Sequence, residues 1–228
     1  MLRRLALGVL AMISLASSSA MAQSPTFFVV TYVEVGPILG KVGIAALHAD
    51  RDAGRKEKGN VHLDVFEHLE RSNQFVVLGA WTDQAAYDAY AASDRFKTMK
   101  EKMQSLLVAP VDIRLNSALS GSVAVAPDKS ARDAIVVVTH VDVVPPQKDA
   151  AVVALKQLAD DTRQHPGNLQ FHVWQQISRP NHFTVVEAWS SRGAFNVHQM
   201  RKETRDFRDK LAPMAGALYD ERLYKPLK

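Results

Sequence analysis

The chain repeats itself at one fixed offset, and that repeat limits it to a small set of folds. Thr31-Tyr32-Val33-Glu34-Val35 lies 108 positions before Thr139-His140-Val141-Asp142-Val143. The same shift, without gaps, takes Pro37 to Pro145, Ala46-Leu47 to Ala154-Leu155 and Arg55 to Arg163. It then takes Gly59-Asn60 to Gly167-Asn168, Phe75 to Phe183, and Ala80-Trp81 to Ala188-Trp189. A register held across most of a repeat marks two copies of one module. The period is too long for a solenoid unit and suits a small complete domain.

The N-terminus stands apart from the repeat. Arg3 and Arg4 precede an apolar stretch from Leu5 to about Ala16, and Ala20-Met21-Ala22 is an A-x-A cleavage signature before Gln23. Residues 1–22 therefore read as a signal peptide cut after Ala22, with the mature protein periplasmic or secreted. The run is short for a membrane anchor. Export implies an oxidising compartment, yet the chain has no cysteine. Buried apolar area, with no disulfides, must then hold the fold, and a catalytic thiol or thiolate metal site is excluded. Removing Arg3 and Arg4 lowers the net charge from +4 to +2. The remaining Lys and Arg alternate with acids, so no nucleic-acid or lipid patch is expected.

Each copy reads as strand, helix, strand, strand, helix, strand. In the first, Phe27 to Val35 is β-rich and ends at Gly36-Pro37, and Ile38 to about Lys56 has helical apolar spacing. Gly59-Asn60 stops that helix. Val61 to Leu69 and Gln74 to Trp81 form a hairpin across Glu70-Arg71-Ser72-Asn73. Thr82 or Asp83 caps one long second helix through Met103, and Val108 to Leu115 closes the module. The second copy follows suit, with Ser190 or Ser191 before its second helix. Modules at 27–118 and 134–227 are joined by a Ser, Ala, Gly and Pro-rich linker at 119–133.

A βαββαβ module makes a four-stranded antiparallel sheet with both helices on one face, the ferredoxin-like arrangement. Here both faces are apolar: Phe75, Val77 and Trp81 alternate with Val76, Leu78 and Ala80. A sheet apolar on both sides must be covered on both. The expected fold is thus α+β, two ferredoxin-like modules packed sheet to sheet as an intrachain dimeric α+β barrel.

With these residues placed, the chain resembles a tandem member of the antibiotic biosynthesis monooxygenase superfamily. The likeness rests on His165-Pro166-Gly167-Asn168-Leu169 opening strand two and Glu187-Ala188-Trp189 ending strand three. Its third part is Ala194-Phe195-Asn196-Val197-His198 starting helix two. The first copy keeps Gly59-Asn60 and Trp81 but has Gly79 in place of Glu187 and Tyr90 in place of His198. Non-equivalent pockets follow. Family members include quinol and anthrone oxygenases, haem-degrading enzymes, isomerases and proteins of no known activity, so the resemblance is firmer for fold than for reaction.

The oxygenases of this family use no metal or flavin, so the resemblance implies that no cofactor is required. The substrate itself supplies electrons once deprotonated, which needs a base, donors that hold the anion and a water-poor pocket. His198 is the expected base, oriented by Glu187, with the Trp189 indole as donor or wall. The same residues also admit plain readings, a solvated helix histidine and an apolar plug. Phe195, Trp81, Tyr87, Tyr90, His172 and Trp174 are the candidate substrate-lining residues. Tyr32 and His140, paired by the repeat, are expected at the seam between the sheets. No metal-ligand spacing, nucleophile elbow or phosphate loop is present.

The leading expectation is an exported cofactor-independent monooxygenase for a small hydrophobic phenolic or quinol-type molecule, with its dry cavity in the C-terminal half. A non-catalytic periplasmic small-ligand binder is the alternative. Haem handling is weaker, because Thr31 and Thr139 stand where haem-degrading relatives place Asn on strand one.

Overall fold

The computed structural model describes residues 27–121, 127 and 132–227. The expected signal peptide and most of the linker lie outside the described residues. In the first module β1 (Phe27–Glu34) leads through a single 3-10 turn into α1 (Gly40–Gly54). Next come β2 (Asn60–His68), β3 (Gln74–Trp81), α2 (Gln84–Ala92), α3 (Asp94–Gln104) and β4 (Asp112–Ser120). The second module repeats the order as β5 (Ile135–Asp142), α4 (Lys148–Thr162), β6 (Asn168–Gln176) and β7 (His182–Trp189). It finishes with α5 (Arg192–Gln199), α6 (Lys202–Leu211) and β8 (Asp220–Pro226). Among the described residues no helix is long and apolar enough to cross a membrane.

The eight strands close into one barrel in the order β1-β3-β2-β8-β5-β7-β6-β4. Within a module all pairing is antiparallel, and two ladders cross between modules. β4 pairs β6 through Asn116↔Gln176 and Ala118↔Trp174, and β2 pairs β8 through Phe66↔Pro226 and His68↔Tyr224. The sheets therefore face one another as expected and are also bonded along their edges, leaving no open edge strand. Alternation along each strand sends one residue set into the lumen and the other under the helices. Phe28, Val30, Tyr32, Phe66, Val76 and Leu78 fill the lumen with Val136, Val138, Trp174, Val186 and Tyr224. Tyr32 and His140 meet there, with Tyr32 Oη 2.5 Å from His140 Nε2.

Residues kept by the repeat do equivalent structural work in both copies. Gly59 and Gly167 both have φ of +81°, a left-handed turn that glycine adopts without strain. The following Asn60 and Asn168 donate their side-chain amides to the carbonyls of His62 and Gln170, across the bulges that open β2 and β6. Arg55 and Arg163 donate to the carbonyls of Leu63 and Phe171, and Asn73 and Asn181 to those of Val35 and Val143.

Two expectations need correction. The second helix of each module is broken, because Ser93 and Arg201 adopt extended backbone between the two halves. Ser93 then caps α3 by accepting from the Phe96 N–H. The last strand of the first module starts at Asp112, not Val108, and continues to Ser120, inside the expected linker. It shifts because β4 serves two partners, β1 and β6, and only the longer register reaches both.

A lumen shared by both modules predicts one cooperative unfolding transition. Phe28 stacks on Trp174 across the lumen with ring centroids 4.8 Å apart. Phe28→Ala is expected to cost about 3–5 kcal/mol. Far-ultraviolet dichroism and tryptophan fluorescence should still melt together in urea, and separated transitions would contradict the single barrel.

Candidate active site

The helix-covered faces of the two modules hold equivalent residues in different states. In the second module, Ser191 caps α5 by accepting from the Ala194 N–H, which turns Phe195 and His198 onto the sheet. The Trp189 Nε1–H donates to Glu187 Oε2 at 2.8 Å, and the Trp189 and His198 rings lie 4.6 Å apart. His198 Nδ1 is 3.0 Å from His165 Nδ1 and 3.2 Å from Thr204 Oγ1, while Nε2 is 3.8 Å from Glu187 Oε2. Glu187, Trp189, Phe195 and His198 are all buried. The sequence brings the expected trio together, with the indole as the carboxyl's nearest partner.

Burial decides the charge states of that trio. It pushes the Glu187 carboxyl up to about 8, against the opposing indole hydrogen bond. It pushes His198 down to about 3, helped by His165, Arg208 and Arg201. At neutral pH both are therefore predominantly uncharged, and their 3.8 Å approach is no ion pair. Beside this arrangement Phe171, Phe207, Leu158 and Leu211 pack together between sheet and helices, leaving a smaller pocket of about 220 Å³ at Leu211, Ala215 and Tyr219.

A large apolar cavity lies in the first module, whereas the sequence reading placed the dry cavity in the C-terminal half, where the pocket is less than half that size. Its volume is about 510 Å³, within the range of small-molecule sites. Val29, Leu63, Val77, Trp81, Tyr87, Phe96, Met99 and Met103 wall it, and Asp50, Tyr90 and Thr31 supply polar atoms. The gapless register shows exchanges in both directions: Tyr90 and Phe96 are larger than His198 and Thr204, while four pairs run the other way. Gly79 stands for Glu187, Leu63 for Phe171, Met99 for Phe207 and Asp50 for Leu158. Smaller or more flexible side chains leave room in one copy that larger ones fill in the other.

Asp50 is the residue that sequence reasoning missed. It sits on the buried face of α1 with Gly43, Leu47 and Gly54, where the other copy carries Leu158. A carboxyl on an apolar helical stripe, absent from the sister copy, was the available signal. The Tyr90 hydroxyl donates to it, 3.0 Å from each oxygen, and Arg95 Nη1 lies 3.7 Å from Oδ1. Burial raises the Asp50 carboxyl above its ordinary range despite these two partners. Tyr90 packs on Trp81 and Phe96 at 4.9 Å each, and Tyr87 on Trp81 at 5.8 Å. The Trp81 Nε1–H has no hydrogen-bond partner among the described residues.

His172 and Trp174 belong to neither constellation. Both lie on the lumen face of β6, Trp174 within the lumen core and His172 near Gln170, with Nε2 3.3 Å from its Oε1. Burial, with Arg163 nearby, holds His172 down to about 4. Period-two alternation put them on one face, but which face met the helices required the folded barrel.

The raised Glu187 carboxyl carries a pH signature. Its proton stabilises the fold fully below about pH 4.5, and that contribution is lost as pH rises toward 8. Glu187→Gln keeps an acceptor for the indole and removes the titration. The variant is expected to be more stable than the parent by about 3 kcal/mol at pH 7 and nearly equal at pH 4. Urea melts at the two pH values check this, and a difference independent of pH would contradict a protonated Glu187.

Comparison with known proteins agrees with this fold. The family model described as antibiotic biosynthesis monooxygenase matches twice, at residues 27–102 and 134–210. YcnE of Bacillus subtilis (strain 168), which carries a provisional monooxygenase name, is 30% identical over 82 residues, covering 36% of this chain and 86% of its own. A similarly named Fusobacterium nucleatum structure superposes with a TM-score of 0.75 at 15% identity, over 91% of this chain and 94% of that one. An anthrone oxidase-like protein gives a TM-score of 0.72 at 15% identity, over 91% and 93% of the two chains. These two structural likenesses establish shared fold. The paired family matches establish descent: this chain is a tandem, two-module member of the antibiotic biosynthesis monooxygenase family.

Proposed function

We propose that the protein is an exported, cofactor-independent monooxygenase whose working site is the first-module cavity, taking a small hydrophobic phenolic or quinol-type substrate. The observation that carries this reading is the juxtaposition, in one apolar cavity, of the Asp50–Tyr90 pair with the unpartnered Trp81 N–H. Apolar walls favour an aromatic ring and exclude water. Asp50, raised by burial, is the base for the substrate's acidic proton, and the Trp81 N–H donates to the oxyanion that forms. For an anthrone the balance is closed: the ring methylene loses two hydrogens and four electrons to dioxygen. One oxygen atom becomes the new carbonyl and the other leaves as water. Export rests on the leader sequence alone.

The second reading, a non-catalytic small-ligand binder, is favoured by one observation. The family's Glu and His stand in the second module, while the first has Gly79 and Tyr90. Dioxygen uptake with anthrone and with substituted hydroquinones separates the two. Asp50→Asn is expected to lower kcat by about 10²-fold or more with the melting temperature little changed. Saturable binding without uptake supports the binder. Uptake lost in His198→Ala but retained in Asp50→Asn would move the chemistry to the second module, as the sequence alone had suggested.

A further inference from the structure

Position 79 and its counterpart 187 occupy the same place in the two ladders. Gly79 is opposite Val29 and Leu63, and Glu187 is opposite Val137 and Phe171. Two residues further on, each strand ends in the tryptophan that faces the helices. In the second module the carboxyl of residue 187 fills the space beside that indole and accepts its N–H at 2.8 Å. In the first, a β-carbon added at Gly79 would already lie 3.2 Å from Trp81 Nε1 and 3.3 Å from Leu63 Cδ1. Side-chain atoms at this position therefore grow directly toward the indole nitrogen. What Glu187 supplies to Trp189, no described residue supplies to Trp81.

We infer that Glu187 is a built-in occupant of the second pocket, standing where the first pocket's ligand places an accepting oxygen, and that Gly79 keeps that place beside Trp81 open. This rests on the reading of the first-module cavity as the binding site, and it narrows the ligand. The group next to Trp81 is an sp² or phenolic oxygen carried on an apolar ring, the chemistry that a carboxyl on a short aliphatic stem imitates. A hydrocarbon of the same shape displaces water from the indole N–H without replacing its hydrogen bond, a cost of the kind that makes such sites selective. The ligand's acceptor thus completes a hydrogen bond that the fold has already completed once for itself.

The test uses 1-tetralone and tetralin, which share a bicyclic skeleton and differ in one carbonyl oxygen. The protein has three tryptophans, so three indole N–H resonances report on the first pocket (Trp81), the lumen (Trp174) and the second pocket (Trp189). In the parent, 1-tetralone should move the Trp81 resonance downfield to saturation at one equivalent bound. Trp174 and Trp189 should stay silent, and tetralin should give no downfield shift. Gly79→Glu should abolish the Trp81 response, and Gly79→Gln, which reaches as far without an ionisable proton, should do the same should the acid misfold. Glu187→Gly vacates only the volume of one side chain, so propionamide, a neutral acceptor of that size, should move the Trp189 resonance downfield in this variant. A Trp81 response that survives both Gly79 variants overturns the inference. So does a Trp189 that stays silent to propionamide in a folded Glu187→Gly protein. A parent that binds neither compound overturns the cavity as a binding site, independently of any oxygen-uptake result.

Discussion

A four-stranded sheet with apolar side chains on both faces is insoluble as a single layer, and every later feature of this protein follows from how that problem is met. Helices cover one face of each sheet, and the two remaining faces cover each other inside a closed barrel. The lumen is a single core built from both modules, so neither copy completes its interior without the other. Edge ladders between β4 and β6 and between β2 and β8 finish the closure and leave no strand edge free. The linker therefore converts what would be a dimer into a single chain, and with that removes the requirement that its halves be identical.

Freedom from symmetry shows on the helix-covered faces, away from the shared lumen. There the second module packs Phe171, Phe207 and Leu158 together and keeps a pocket of about 220 Å³, and the first keeps a cavity of about 510 Å³ lined by Leu63, Met99, Asp50 and Gly79. A large cavity forfeits dispersion contacts, and a buried carboxyl forfeits hydration. Each module carries a buried carboxyl, Asp50 or Glu187, but the large cavity falls in the first, where Asp50, Tyr90 and Trp81 gather. The other module supplies dense packing instead, with its polar groups turned on one another: indole to carboxyl, imidazole to imidazole and hydroxyl. Division of labour between stability and chemistry is the economical reading of two pockets that began alike.

Much of the architecture was legible because its cause is local. Gly59 and Gly167 are needed for a left-handed turn, Asn60 and Asn168 for the bulge beside it, and alternating apolar residues for a two-faced strand. Each of these requirements is met within a few residues and repeated 108 positions later. The break in helix two was less legible. Ser93 also fits within a continuous helix, and what it caps is seen only once the chain has turned there. Among site residues, the Glu187, Trp189 and His198 cluster was predicted as a group, since strand and helix periodicities aim all three at one place. Asp50 was passed over, although its exchange for Leu158 was available in the repeat.

The sequence by itself determined that there are two modules, that each is a βαββαβ unit, that their sheets must share a core, and which side chains occupy which strand face. Those are matters of period, turn chemistry and the sign of hydration free energy. Tertiary structure alone decided which strand face looks into the lumen, that the edges would bond, and which of two equivalent interiors is the more open. Space between a sheet and a helix depends on the summed volumes of side chains far apart in the chain. No local pattern reports whether a tryptophan's N–H meets a neighbour's carboxyl or an empty cavity.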